Sequence, residues 1–437
     1  MKTKRSLIAG LIWFSLLGYG QVQAQALDLE TCLKMADTAN INNRNAMLDI
    51  RYNQEQRGSY LAARLPQLNF TADYKFNAKI PGQVVPAAFF GGQPGTYSTV
   101  QFGVPFVLGN TLQLTQVVFN SQVNYGLAAL KINNDIASIQ KEMTQQDIRY
   151  QVANAFFTLQ GINKQIDFID SNVVNTQKLL RNMEAMVREG LMIQTEADKI
   201  KINELSLINT RTSLEATKEQ LESLLKILIG MPQDQAIMLE GDKLVEKTIL
   251  NDQATQNFYA LQLIDAQKRM NQEEKKGIQM GYLPNLSFYA AYNYNINIKP
   301  ADNYRKGIDG AFLGLRLDWT LFDGLDKYHK AKMNLINAEK LTNQYELANE
   351  QLQMAAENNK RQIQVKAGSL SITKQQLKLA EDVYHNAALK FEKGLISSND
   401  LIMAENGMEQ AQTNVVSAYI QLRQAELEFL KTIGNIK

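Results

Sequence analysis

The residue types that most often carry chemistry are sparse in this chain and poorly spaced for it. Its two histidines, His329 and His385, stand far apart on helical patterns, with no cysteine pair or carboxylate at ligand spacing beside either, so a metal site is not indicated. Cys32 is the only cysteine and can form no intrachain disulfide. It follows Glu30-Thr31 inside a helical pattern, lacks the small-residue context of a lipid-attachment site, and reads as a core thiol. No phosphate-cradling glycine loop, nucleophile elbow or metalloprotease helix occurs, so no cofactor is expected and the chain reads as non-catalytic. With 46 basic against 44 acidic residues the net charge is +2, without a block of like charge, and nucleic-acid binding is not indicated. What stands out is a pair of turns, Glu189-Gly190-Leu191 and Lys393-Gly394-Leu395, each followed six residues after its glycine by an acid, Glu196 or Asp400. A glycine in such a place ends a helix in the left-handed region. The plainest reading of either acid is a solvated helix charge.

The elements that position these turns begin with strands. After Leu65-Pro66, residues Leu68, Phe70, Ala72, Tyr74 and Phe76 alternate with Gln67, Asn69, Thr71, Asp73 and Lys75, the period of a strand with one apolar and one polar face. The pattern restarts after Leu283-Pro284, where Leu286, Phe288, Ala290, Tyr292, Tyr294, Ile296 and Ile298 share one parity. Returning strands alternate at Leu112 and Leu114, and at Leu313, Leu315, Leu317 and Trp319. A half-buried strand of a soluble sheet fits any one of these. Taken with a polar face rich in Asn, Gln, Asp and Lys, the set fits strands with lipid on one side and a wet lumen on the other.

Residues 1–26 read as a secretory leader: Lys2, Lys4 and Arg5 precede an apolar run, and Ala24-Gln25-Ala26 offers a small-x-small cleavage site. No later run approaches the roughly 18–20 apolar residues of a membrane helix. Spanning therefore falls to strands.

Two segments without proline, 121–188 and 324–391, carry helical apolar spacing, as at Ile148, Val152, Phe156, Leu159, Ile162, Ile166, Ile169 and Val173. Each predicts a helix about 100 Å long. Shorter helical patterns over 28–63 and 194–229, and again over 251–281 and 397–433, sum end to end to about the same length. The chain thus divides into a first repeat, 27–230, with its strand hairpin at 65–120, an irregular linker at 231–250, and a second repeat, 251–437, with its hairpin at 283–323. Phe119-Asn120 and Leu321-Phe322-Asp323-Gly324 mark strand exits, with Asn120 and Asp323 suited to capping the next helix. The Pro/Gly-rich connection 79–108 predicts a long exposed loop; 299–310 predicts a short one. Four strands cannot close a barrel in lipid, so an oligomer is expected.

In order and in duplicate, these features resemble the TolC-like outer-membrane efflux protein family over essentially the whole mature chain. The carrying residues are the two Leu-Pro-x-Leu strand starts, the Phe-Asn and Phe-Asp-Gly exits, the Gly190-Leu191 and Gly394-Leu395 turns, and the helix ends Ile229-Gly230 and Ile433-Gly434. The resemblance implies an α+β membrane protein: a homotrimer sharing a twelve-stranded transmembrane β-barrel, four strands per chain, continuous with a long periplasmic α-helical coiled-coil barrel. It implies location in a Gram-negative outer membrane and service as the exit duct of a tripartite efflux or type I secretion system. The partners implied are a periplasmic adaptor, docked at Gly190, Leu191, Gly394 and Leu395, and an inner-membrane proton-driven pump or ABC exporter. Asp400 then matches an acidic ring at the periplasmic entrance, with Glu196 its weaker counterpart; three crowded carboxylates raise one another's pKa and favour cations. This sequence departs from the family pattern at Met403, where a second acidic ring is missing, and at Phe391 and Ile396, where polar lock residues are missing. A secreted coiled-coil scaffold without a barrel is the competing reading. It accounts for the helices but not for strands carrying Tyr74, Phe76, Tyr294 and Trp319 near their ends.

Overall fold

The computed structural model describes residues 26–239, 248–250 and 256–436. The expected leader, apart from Ala26, lies outside them, as do residues 240–247 of the expected linker and the start of the helix expected from 251. In chain order the elements are β1 (Ala26–Leu27), α1 (Leu29–Ala39), α2 (Ile41–Ala62), β2 (Gln67–Phe76), β3 (Gly82–Pro86), β4 (Tyr97–Gln101), β5 (Phe106–Phe119) and α3 (Ser121–Arg188). There follow α4 (Gln194–Ile229), β6 (Met238–Leu239), α5 (Tyr259–Met280), β7 (Asn285–Lys299), β8 (Tyr304–Asp318), α6 (Asp326–Glu392) and α7 (Ser398–Thr432). The chain forms two compact units. Among the described residues, one holds 41–150, 250, 256–365 and 425–436; the other holds 26–40, 151–239, 248–249 and 366–424.

The first unit carries a four-stranded antiparallel sheet in the order β2-β5-β7-β8. Its register sets Phe70 opposite Leu112, Leu112 opposite Tyr292, and Ala290 opposite Leu313, so all four alternations read from the sequence present their apolar residues on one face. Asn69, Gln113, Thr111, Asn293, Asn297 and Lys306 occupy the other. A slip of one residue in any pairing would turn that strand's apolar set onto the polar face. The outer strands β2 and β8 each have one neighbour, and both are exposed along nearly their whole length. The expected long loop after β2 contains a feature its sequence did not announce. Strands β3 and β4 pair there antiparallel, from Gly82 opposite Gln101 to Pro86 opposite Tyr97.

Strand exits pass into helices through side-chain caps. Asn120 Oδ1 accepts from the Gln122 amide at 2.8 Å, and Asp323 Oδ2 accepts from the Lys327 amide at 3.2 Å. Gly324 and Leu325 take φ values of 69° and 71°, so α6 starts two residues later than its apolar pattern suggests. The helix expected to begin at 251 starts at Tyr259. Close approach of helices in this unit relies on glycine under aromatic rings: a Cβ on Gly126 would lie 2.3 Å from the Tyr60 ring, and one on Gly277 would lie 2.7 Å from Tyr125.

The second unit is helical, apart from the short parallel pair β1 and β6. The single helix expected over 28–63 is broken at Asn40, whose ψ of 132° ends α1 and whose Nδ2 donates to the Leu228 carbonyl at 2.9 Å. Val152, Phe156, Leu159 and Ile169 of α3 are buried, with Ile200, Leu207 and Leu225 of α4 and Leu401, Val415, Val416 and Tyr419 of α7. Polar residues on α3 and α7 pair within this core. Asn172 Nδ2 donates to Gln412 Oε1 at 2.9 Å, and the Tyr419 hydroxyl donates to Gln160 Oε1 at 3.1 Å. Such pairs fix the register of the two helices, since any slide buries them unmatched.

Candidate functional site

Both Gly-Leu turns lie in the helical unit and end their long helices in the same way. Gly190, with φ 73°, donates its amide to Val187 O at 3.0 Å, and Leu191 donates to Met186 O at 2.9 Å. At the second turn Gly394, with φ 70°, donates to Phe391 O at 2.8 Å, and Leu395 donates to Lys390 O at 2.9 Å. Each is a Schellman closure, which needs a left-handed residue at the glycine. No atom lies within 4 Å of a Cβ placed on either glycine. Leu191 and Leu395 are 73% and 69% exposed, so each turn presents an uncovered apolar side chain. Between the turns is a cleft of about 740 Å³, walled by Leu179, Met183, Met186, Met192, Phe391 and Leu401 with Lys178, Glu392 and Lys393 at its polar side.

Asp400 belongs to a capping box rather than standing as a free helix charge. Its Oδ2 accepts from the Ser397 amide at 3.0 Å and the Ser397 hydroxyl at 2.8 Å, while Ser397 Oγ accepts from the Asp400 amide at 3.2 Å. The carboxyl is exposed, and its bonds to the Ser397 side chain and then its backbone hold it below the usual carboxylate range. Within one protomer this opposes the upward shift expected from a crowded ring. Glu196, at the matching place in α4, is half-buried and makes a different contact: Ser398 Oγ donates to its Oε2 across to the other turn, and Lys199 Nζ reaches Oε1 at 2.9 Å. The Ser398 bond first, and Lys199 second, hold its pKa low. Glu196 thus ties the start of α4 to the start of α7 at Ser398, inside the capping box that runs from Ser397 to Asp400.

The sequence matches no protein-family model and no curated protein. Its likeness is to solved structures. The outer membrane protein VceC of Vibrio cholerae superposes with a TM-score of 0.71 at 15% identity, covering 93% of this chain and 96% of that one. The CmeC outer membrane channel of Campylobacter jejuni gives 0.70 at 13% identity, covering 93% and 85%, and the MtrE outer membrane channel of Neisseria gonorrhoeae, in its open state, gives 0.69 at 13%, covering 93% and 89%. The fold is that of the outer-membrane channels. The resemblance carried by the duplicated strand and helix-end motifs is borne out at the level of fold.

Phe391 and Ile396, expected at the places of a polar lock, are apolar and partly buried. Phe391 is half-buried against the cluster of Leu180, Met183, Ala197 and Ile200, with Val187, Met192 and Ile402 beside it, and Ile396 lines the cleft. Met403 is exposed. His329 and His385 are both exposed on α6, and Cys32 is buried, with its thiol pushed up to about 11 by that burial.

The sequence reading passed over Glu405, which is 1% exposed. Thr176 Oγ1 of α3 lies 2.5 Å from its Oε1, and Asn203 Nδ2 of α4 donates to its Oε2 at 2.9 Å, so one carboxyl joins three helices. Burial, with Glu409 nearby, raises its pKa, against the lowering effect of Thr176 and Asn203. It in turn helps burial push the Tyr384 hydroxyl of α6 up to about 12. A signal for it exists in the sequence: Leu401, Glu405, Met408, Gln412, Val415 and Tyr419 step by four and three, which sets Glu405 and Gln412 on the core seam.

Proposed function

We propose that the chain is one protomer of a homotrimeric outer-membrane exit duct that passes substrates across the periplasm and outer membrane as part of a tripartite efflux or type I secretion system. The observation that carries this reading is the sheet: four strands with one apolar and one polar face and two unpaired edges, joined directly to long helices. In a bilayer, unpaired backbone groups cost several kcal/mol each, so such a sheet requires copies of itself to close. A further support is the apolar surface that one protomer leaves uncovered on α6, including Leu335, Leu347, Met354, Ile372 and Leu379. The chain works without a catalytic step. Gly190, Leu191, Gly394 and Leu395 dock a periplasmic adaptor that leads to an inner-membrane transporter, and Asp400, with Glu196 behind it, edges the periplasmic gate. The two repeats, 27–230 and 251–437, alternate around the axis to give twelve strands, and the linker 231–250 joins them at mid-height. Mass measurement of the protein extracted from outer membranes in mild detergent tests the assembly: a trimer is expected, and a stable monodisperse monomer refutes barrel and duct together.

A further inference from the structure

The two hairpins end in opposite chemistries. The short turn between β7 and β8 is flanked by Lys299, Asp302, Arg305 and Lys306, with Lys299 paired to Asp302. The segment between β2 and β5, residues 77–105, contains one charge, Lys79. It leaves Val84, Phe89, Phe90, Tyr97 and Phe102 exposed, Phe89 to 79%. Exposed apolar side chains in such density mark a surface that meets another apolar phase.

Its backbone is ordered as a hairpin of its own. β3 and β4 pair with each other over five residue positions, and beyond them Ala87 N donates to Thr96 O and Gly92 N to Ala87 O, both at 2.9 Å. At the base Asn77 donates from its amide to Pro105 O at 2.7 Å and from Nδ2 to Val104 O at 2.9 Å. Pro81, Pro86, Pro94 and Pro105 have no N–H to satisfy. The base is also continuous with the sheet's apolar face, since Phe76 stacks on Phe106 at 4.9 Å between ring centroids and Tyr74 on Phe106 at 6.0 Å.

From the missing charge, the exposed apolar side chains and this continuity we infer that residues 77–105 form a membrane anchor, lying at the acyl-chain boundary of the outer leaflet beside the barrel mouth. The inference rests on the barrel reading above. The segment leaves the end of the sheet opposite α2 and α3, so in that reading it is extracellular. Aromatic side chains favour that interfacial depth, and the hairpin holds three sets of them around the trimer.

Depth-dependent tryptophan quenching tests it. In a Trp319→Phe background, Phe89→Trp, Phe90→Trp, Leu313→Trp and Ala301→Trp proteins are reconstituted as assembled trimers in phosphatidylcholine vesicles whose acyl chains carry bromine near the headgroup end. Leu313 reports the apolar sheet face and Ala301 the charged turn. Quenching of F89W and F90W at least half as strong as that of L313W, with A301W unquenched, is the expected result. If L313W is quenched while F89W and F90W behave like A301W, the anchor is refuted and the barrel stands; Phe89→Cys cross-linking between protomers would then place the loops against one another over the mouth. If L313W is itself unquenched, the barrel reading fails and the anchor with it.

Discussion

Replacing Glu405 separates a buried proton from a buried charge. The Thr176 hydroxyl has one hydrogen and two acceptors in reach, Asn172 O at 2.9 Å and Glu405 Oε1 at 2.5 Å. A protonated Glu405 resolves the competition: it donates to Thr176 Oγ1, Thr176 donates to Asn172 O, and Asn203 donates to the remaining carboxyl oxygen. Burial pushes the pKa in the direction that favours this state. Because the folded pKa lies above the unfolded value, the folded chain binds more protons in the intervening pH range. The resulting stability is fully present below the unfolded value and is lost as pH rises through the folded one. Glu405→Gln, which donates and accepts in the same places, is expected to hold stability within about 1 kcal/mol. It should also remove the wild type's loss of stability as pH rises from 4.5. Glu405→Ala strands the Asn203 amide and opens a void, a loss of about 2–4 kcal/mol, or a midpoint lowered by roughly 2–4 °C for a chain of this length. Thermal unfolding of the detergent-solubilised protein, followed by near-ultraviolet circular dichroism between pH 4 and 9, reads both. If Glu405→Gln destabilises as much as Glu405→Ala, or keeps the wild-type pH dependence, the carboxyl is charged in place and the argument fails.

Three further outcomes are expected. A Cβ at Gly190 or Gly394 meets no neighbouring atom, and replacing both by tryptophan adds left-handed strain of about 1–3 kcal/mol each; drug susceptibility of a deletion strain carrying this variant should match the empty deletion while the trimer still inserts, and wild-type resistance would remove the turns from docking. Single-channel recording in planar bilayers should show Asp400→Ala reducing cation selectivity and periplasmic polyvalent-cation block, with Glu196→Ala weaker; identical behaviour of both variants and wild type would leave Asp400 with capping alone. Asp400 in one protomer has a depressed pKa, so its share of helix-start stability is present above the unfolded value and lost as pH falls through the folded one; Ser397→Ala should shift the acid limb of that loss to higher pH in a thermal series, and an unshifted limb would dissociate the carboxyl from Ser397.

The strands were legible because alternation is a local property and each face has a single solvent. Four independent runs, read without pairing information, fall on one face once Phe70, Leu112, Tyr292 and Ala311 line up across the sheet. β3 and β4 were not legible, because Gly82, Pro86 and their neighbours carry turn chemistry within a hairpin. The break at Asn40 goes with a tertiary bond to Leu228 O, which no local spacing announces. At the site, the glycine closures could be read from the chain. Ser397-x-x-Asp400 has the spacing of a capping box, which is a local signal. The Glu196 to Ser398 contact joins residues from two repeats, and no local spacing encodes it.

Four glycines end helices here by the same closure, but in two surroundings. Gly230 and Gly434 repeat the bonding of the turn pair, with Met231 N on Lys226 O and Asn435 N on Leu430 O, both at 2.8 Å. A Cβ at Gly230 would stand 2.5 Å from Ala39 Cβ, and one at Gly434 would stand 2.1 Å from Asn257 O, whereas Gly190 and Gly394 face open space. Asparagine, which tolerates the left-handed region, is therefore admissible at the second pair and inadmissible at the first. Under random mutation with selection for assembly alone, the codons for 230 and 434 should stay fixed while 190 and 394 drift to asparagine. Selection that also demands export should freeze all four, so the difference between the two libraries isolates what the exposed turns are for.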